Sequence, residues 1–262
     1  MPDTAPADDL FDGLFDDAAI FPPGNAPMAD AVRAHAEHRD AWYAPSVGPF
    51  VCTVSRLDEL GAELGTREAA VDLSLTVPDG IAALQHGIRA ALDTPGVRLC
   101  AIEVPLGDFG PDQVRHACGA YGELQLPCYV EVPVARVDTD LASAIAAAGL
   151  RLKLRTGGTT PAAFPGEDDL AGALVAAVRA DVTFKCTAGL HNAVRHRDAQ
   201  TGFEHHGFLN VLLATAAARS GAQRDYVAAL LAEHDTVTVA GRVRALDASA
   251  AAGARRAFTS FG

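Results

Sequence analysis

A regular alternation of short apolar runs with longer alanine-rich stretches constrains the fold of this chain more than any other feature. The short runs are rich in β-branched and aromatic residues, which is typical of strands, and the longer stretches have helical spacing. Eight such units in 262 residues predict a single-domain α/β protein, a (β/α)8 TIM-type barrel that spans residues 1–262. The eight predicted strands are residues 18–23, 49–55, 70–78, 97–105, 126–133, 151–157, 183–191 and 236–241.

An open, doubly wound sheet is the alternative architecture. It is disfavoured because the sequence has neither the G-x-G-x-x-G fingerprint nor the G-x-x-x-x-G-K of a P-loop. Strands one and eight are the least regular of the set. Residues 18–23 end in two prolines, and residues 236–241 also fit an irregular turn before a last predicted helix at 248–258.

The charge of the chain excludes two classes of partner. There are 21 basic and 33 acidic residues, so the formal net charge is −12. A surface this negative repels phosphate backbones and anionic membranes, so neither nucleic acid nor a membrane is an expected partner. A small-molecule substrate is expected instead, and assembly into a homo-oligomer stays open.

The N-terminal segment and the cysteines indicate the compartment. Residues 1–17 are acidic where a signal peptide would be basic, and no apolar run reaches the roughly 20 residues that cross a bilayer. We therefore predict a cytoplasmic protein with a mobile acidic segment at residues 1–17. The five cysteines are odd in number and lack C-x-x-C spacing, which indicates neither a disulfide framework nor a zinc cluster. No metal or cofactor is expected.

Two lysines stand out among the basic residues. Lys153 and Lys185 are the only lysines of the chain, and the other 19 basic residues are arginines. Arginine replaces lysine wherever a permanent cation suffices, but it offers no neutral amine as a nucleophile or a base. Both lysines fall within predicted strands six and seven, so they are candidates for chemistry that arginine cannot perform.

The predicted strands bring these lysines together. In a (β/α)8 barrel the active site lies at the carboxyl ends of the strands, and alternation places Lys153 and Arg155 on one side of strand six. If strands six and seven are neighbours, Lys153 and Lys185 disfavour each other's charge, and one amine is partly neutral. Since only a neutral amine attacks a carbonyl, this pattern indicates Schiff-base catalysis. The alternative is that these cations bind a substrate anion or pair with Glu103 and Glu131.

Two short segments resemble a known family. Residues 153–157 (K-L-R-T-G) and 184–189 (F-K-C-T-A-G) are similar to the two lysine segments of deoxyribose-phosphate aldolase-like class I aldolases. The resemblance implies that Lys153 forms the imine and that Lys185 is the neighbouring cation that favours the neutral form of Lys153. It also implies a barrel fold and an aldolase-type reaction.

Three further residues are candidates for proton transfer. Glu103 and Glu131 share an apolar-Glu-Val-Pro ending, and His191 is the last residue of predicted strand seven. Any of them could serve as an acid or a base, although structural salt bridges of the glutamates are an equal alternative. The same three residues could hold a divalent metal, so a metal-dependent lyase or isomerase is the second function class. No H-x-H or H-E-x-x-H motif supports that class.

The remaining candidates bind substrate. The ends of strands six and seven offer backbone N–H groups and hydroxyls that suit an anion, and a polar loop leads to His205 and His206. We predict a lyase or aldolase that forms a Schiff base with a small, anionic carbonyl compound, with a noncatalytic anion-binding barrel as the third class. The candidate substrate-binding residues are Arg155, Thr156, Gly157, Gly158, Thr187, Gly189 and His206.

Overall fold

Eight parallel strands form a closed barrel in the computed structural model, which describes residues 9–65, 70–119 and 126–262, without the side chains of 118 and 119. The strand order around the barrel is β1-β10-β7-β6-β5-β4-β3-β2. The predicted (β/α)8 barrel is confirmed. Its strands are β1 (Phe15–Asp17), β2 (Val47–Thr53), β3 (Val71–Thr76), β4 (Val97–Pro105), β5 (Cys128–Val132), β6 (Arg151–Arg155), β7 (Phe184–Thr187) and β10 (Phe258–Phe261).

Helices follow the strands along the chain. A short antiparallel hairpin, β8 (His196–Arg197) and β9 (Glu204–His205), lies in the segment after β7. Within the described ranges, no helix combines the length and apolar character needed to cross a bilayer. The helices are α1 (Met28–Asp40), α2 (Leu57–Leu64), α3 (Ile81–Asp93), α4 (Pro111–Gly119), α5 (Thr139–Ala147), α6 (Glu167–Arg179), α7 (Phe208–Arg219), α8 (Arg224–Ala232), α9 (Thr236–Arg244) and α10 (Ala248–Ala257).

Local sequence explains several of these helices. α6 has three acidic residues in its first turn and Arg179 in its last, an arrangement that complements the helix dipole. The side chain of Asp235 accepts a hydrogen bond from the Thr238 N–H and caps α9. Asp247 caps α10 in the same way through the Ala250 N–H. Such caps satisfy backbone donors that the first helical turn leaves without partners.

The chain divides into two compact units. The first comprises Met1–Phe11, Val132–Ala147 and Leu152–Phe261, and its core lies between β6, β7 and β10 and helices α5 to α10. The second comprises Asp12–Glu131, Ala148–Arg151 and Gly262, and strands β2 to β4 pair within it.

The first strand lies earlier than the sequence predicts. β1 is Phe15–Asp17, which pairs with β2 in parallel, whereas residues 18–23 form turns. Prolines end the predicted run and cannot donate to a strand ladder. In residues 9–17, Leu10 and Leu14 are buried and the Gly13 N–H donates to the Pro45 carbonyl. The mobility of residues 1–17 stays a prediction. Residues 1–8 lie outside the described residues.

The last strand is also displaced from its predicted position. Residues 236–241 belong to α9, where the cap at Asp235 and the buried pair Val239 and Val243 favour a helix. The barrel closes through β10, which follows the predicted helix 248–258. There Phe258 pairs with Phe184 in register, and the two rings stack with centroids 5.4 Å apart.

Candidate functional site

The two lysines occupy directly paired positions on neighbouring strands. β6 and β7 are parallel, with Lys153 opposite Lys185 and Arg155 opposite Thr187. Lys153 is 7% exposed and Lys185 only 2%, whereas Arg155 is exposed at the carboxyl end of β6. The expected adjacency of the lysine strands is therefore confirmed. The positions on either side of each lysine carry fully buried apolar side chains, namely Leu152, Leu154, Phe184 and Cys186.

This register places two cations close together in a water-poor environment. Neighbouring strands lie about 4.8 Å apart, so the two side chains leave the sheet side by side. Lys153, Lys185 and Arg155 each have a non-covalent partner. Burial of a charge requires such a partner for the two lysines. The pair therefore places two side-chain amines next to each other in a part of the barrel from which water is excluded.

The ends of β6 and β7 are joined by Thr156. Its hydroxyl donates to the Ala188 carbonyl at 2.5 Å, and its N–H donates to the Thr187 carbonyl at 2.9 Å. Thr156 is fully buried. The hydroxyl predicted to bind substrate thus fastens one strand end to the next.

Two glycines permit a close approach at the same place. A Cβ on Gly157 would lie 2.6 Å from the Gly189 Cα, and a Cβ on Gly189 would lie 2.6 Å from the Thr156 carbonyl oxygen. Gly189 also has a φ of +82°. Space at Gly158 is also restricted, because a Cβ added there would lie 2.7 Å from the Cβ of Ala163. Backbone packing therefore requires glycine at 157 and 189, and the Ala163 side chain crowds position 158. The role of these glycines in anion binding remains a prediction.

Three histidines lie together after β7, and we call His191, His196 and His205 the histidine cluster. Ring centroids of His191 and His196 lie 6.1 and 5.1 Å from that of His205. Burial lowers the pKa of His205, and His196 lowers it further. Burial also lowers the pKa of His191, with added effects of His205 and His196. The imidazoles of His191 and His205 are therefore neutral at pH 7.

His206 lies apart from this cluster. It is fully buried, its Nδ1 lies 3.1 Å from a guanidinium nitrogen of Arg195, and its Nε2 lies 2.9 Å from the Pro165 carbonyl oxygen. Arg195 in turn forms a 2.7 Å ion pair with Glu167 of α6. Because both of its ring nitrogens contact protein groups, His206 anchors the segment after β7. Sequence reasoning considered His205 and His206 together and chose His206 for substrate binding.

Because the buried ring of His206 is neutral, we expect the free energy of unfolding to fall in acid. Arg195 can only donate and the carbonyl can only accept, so the ring is neutral with its proton on Nε2. Burial lowers its pKa from 6.5 to about 4. The unfolded chain therefore takes up this proton first, and stability falls as the pH drops from about 6.5 to about 4. The full effect of this single group is about 3 kcal/mol.

A His206→Gln variant tests this effect. Its amide can accept from Arg195 and donate to Pro165 without titrating. Urea unfolding between pH 7 and pH 4 should show a steeper loss of stability in the wild type, by about 3 kcal/mol over that range. Other histidines titrate in both proteins and cancel in the comparison. Parallel pH profiles would contradict the assignment.

The two candidate glutamates lie in the second unit. Glu103 on β4 is buried, and one of its carboxylate oxygens accepts a 2.6 Å hydrogen bond from the Ser74 hydroxyl. Glu131 on β5 is half-buried and is paired in register with Pro105. Both glutamates have further partners. In the described part of the chain, no three His, Cys, Asp or Glu side chains are placed to hold a metal ion.

Comparison with protein families and with curated proteins gives no match. Among solved structures, a variant carboxyl transferase domain of Rhizobium etli pyruvate carboxylase with pyruvate is 13% identical over 94% of this chain, with a TM-score of 0.47. This chain covers 48% of that domain and so spans about half its length. The YdjI aldolase from Escherichia coli is 11% identical over 93% of this chain and 89% of its own, with a TM-score of 0.42.

Proposed function

We propose that the protein is an aldolase-type lyase in which Lys153 forms a Schiff base with a small carbonyl substrate. The observation that carries this proposal is the register pairing of two buried lysines on β6 and β7. The resemblance of the segments 153–157 and 184–189 to class I aldolases supports the same assignment of roles. In this proposal Lys185 is the neighbouring cation on the adjacent strand.

The chemistry follows from a neutral Nζ atom. Its lone pair attacks the carbonyl carbon, one proton is taken up, and water leaves to give an iminium ion. In a β-hydroxy carbonyl compound, a base then removes the hydroxyl proton and the adjacent carbon–carbon bond breaks. The bond electrons move into the iminium group, so an aldehyde leaves and an enamine remains on Lys153. Water excluded by burial cannot hydrolyse the imine prematurely.

The remaining steps need a group that binds an anion and an acid or base for the hydroxyl proton. Arg155 is exposed two residues beyond Lys153, where its guanidinium can bind an anionic group of the substrate. Glu103, Glu131 and His191 are the candidate acids and bases for the hydroxyl proton. Which of the three acts depends on where the substrate hydroxyl lies.

Borohydride trapping tests the proposed function. The protein is incubated with acetaldehyde, pyruvate or butanal, reduced, digested and examined by peptide mass spectrometry. Hydride addition to an iminium carbon leaves a stable secondary amine, and we expect it on Lys153. Omission of either the carbonyl compound or the reductant is the control. Binding of these compounds without any adduct would instead identify a noncatalytic anion-binding barrel.

A further inference from the structure

His205 is a buried imidazole that the proposed chemistry does not use. It is only 8% exposed, and neither of its ring nitrogens has a hydrogen-bond partner among the described residues. The backbone of Gly189 is near enough to raise its pKa, as a carbonyl acceptor does, although the geometry falls short of a hydrogen bond. A ring N–H directed at that carbonyl leaves the lone pair of the other nitrogen without a donor. Since buried polar groups are almost always hydrogen-bonded, this lone pair needs an external partner.

His196 lies directly opposite His205 in the hairpin formed by β8 and β9. The two strands are antiparallel and these residues are paired in register, so their side chains leave the same face of the hairpin. Their ring centroids are 5.1 Å apart. A zinc–imidazole bond is about 2.1 Å long, so two imidazoles on one ion have their centroids roughly 5 Å apart. The third ring of the histidine cluster, that of His191, is 6.1 Å from His205 and fits this distance less well.

The charges around this pair of histidines favour a cation. The carboxylates of Asp198 and Glu204 both act to raise the pKa of His205, so each stabilises a positive charge at its ring. Burial and His196 outweigh them and lower the pKa, so His205 does not carry that charge as a proton at pH 7. A metal ion therefore meets an imidazole that need not lose a proton before it binds, in surroundings that repel an anion.

Asn192 decides which nitrogen of His196 is available. Its amide nitrogen lies 2.7 Å from Nε2 and 3.3 Å from Nδ1 of His196, and Asn192 is exposed. A half-turn of the amide brings its oxygen to the same place, where it accepts from Nε2–H and leaves the Nδ1 lone pair to an ion. Metal-bound imidazoles almost always donate their other N–H in this way. The Gly189 backbone has the corresponding position at His205.

We propose that His196 and His205 bind a divalent transition-metal ion of the zinc type, and that water completes its coordination. No group of three His, Cys, Asp or Glu side chains in the described ranges is placed to hold an ion, so the protein supplies two ligands. Imidazole nitrogen suits zinc, nickel and copper, whereas magnesium and calcium prefer oxygen. The ion fastens β8 to β9 in the segment that follows β7. It takes no part in the Schiff-base chemistry, and the inference does not depend on that chemistry.

Calorimetric titration of the protein with zinc chloride at pH 7 tests this site. We expect the wild type to bind one Zn²⁺ ion, and His196→Phe and His205→Phe each to bind it at least about tenfold more weakly, because each variant loses a ligand. The exposed His86 on α3 supplies the control, since His86→Phe should bind zinc as the wild type does. A wild type that binds no zinc overturns the site. So does undiminished binding by the two hairpin variants, because other side chains then hold the ion.

Hydrogen exchange of the wild type locates the ion without any variant. Zinc that joins β8 to β9 should slow amide exchange in residues 196–205 and leave exchange in α3 unchanged, because the ion binds only the folded hairpin and stabilises it. Magnesium chloride at the same concentration should have no effect. If magnesium slows the exchange equally, the carboxylates of Asp198 and Glu204 hold the ion and the imidazole site is wrong. Unchanged exchange in the hairpin also overturns it, even where His196→Phe and His205→Phe do not fold.

Discussion

Lys153→Arg is expected to abolish borohydride-trapped adduct with every carbonyl compound tested. The substitution keeps a positive charge on β6 opposite Lys185, so the electrostatic environment changes little. A guanidinium, however, has a neutral fraction lower than that of an amine by roughly two to three orders of magnitude. Adduct yield at neutral pH should fall by at least that factor. Mass spectrometry of the reduced protein measures it directly.

Lys185→Arg is the matched comparison. It makes the same chemical change on the neighbouring strand, at a position that is buried to a similar degree. Because Lys185 acts only through its charge in the proposed mechanism, this variant should still form adduct on Lys153. Thermal unfolding of both variants shows whether each retains the fold. If Lys153→Arg forms adduct on Lys185 and Lys185→Arg forms none, the two lysines exchange roles.

The sequence predicts the middle of the barrel better than its ends. Strands β2 to β7 combine an apolar run with a following helix, so periodicity locates each of them. β1 has only three residues and lies just before the run that the pattern selects, and β10 continues directly from α10, so the pattern separates neither of them from its surroundings. Their pairing with β2 and β7 is decided by closure of the barrel. That closure depends on contacts distant in sequence.

The candidate site, too, could be predicted only in part from the sequence. The adjacency of the strands that carry Lys153 and Lys185 follows from strand order and could be anticipated from the chain, whereas their pairing in register could not. The roles of His205 and His206 could not, because two adjacent histidines of a loop give no sign of which one lies against Arg195. The sequence feature that could have separated the two histidines is alternation, because adjacent residues of an extended segment point to opposite sides. Only the hairpin geometry shows that His205 packs against Phe164 while His206 anchors the segment.

Gly189→Ala is expected to destabilise the protein by about 3 kcal/mol, since a left-handed backbone and a steric collision act together. The new Cβ would lie 2.6 Å from the Thr156 carbonyl oxygen and 2.9 Å from the Gly157 Cα. Both are backbone atoms of the neighbouring strand end, so no side chain can rotate away. Relief requires β6 and β7 to separate at their carboxyl ends.

Gly221→Ala separates the two contributions. Gly221 has a φ of +84°, almost that of Gly189, but a Cβ there would meet nothing within 4 Å. Its replacement should therefore cost only the left-handed strain, about 1 kcal/mol. Urea unfolding of the two variants measures the difference, which we expect to be about 2 kcal/mol. Equal losses of unfolding free energy would show that the carboxyl ends of β6 and β7 separate easily. A larger loss for Gly189→Ala, together with weaker trapping on Lys153, would show that the tight junction of β6 and β7 also maintains the geometry of the lysine pair.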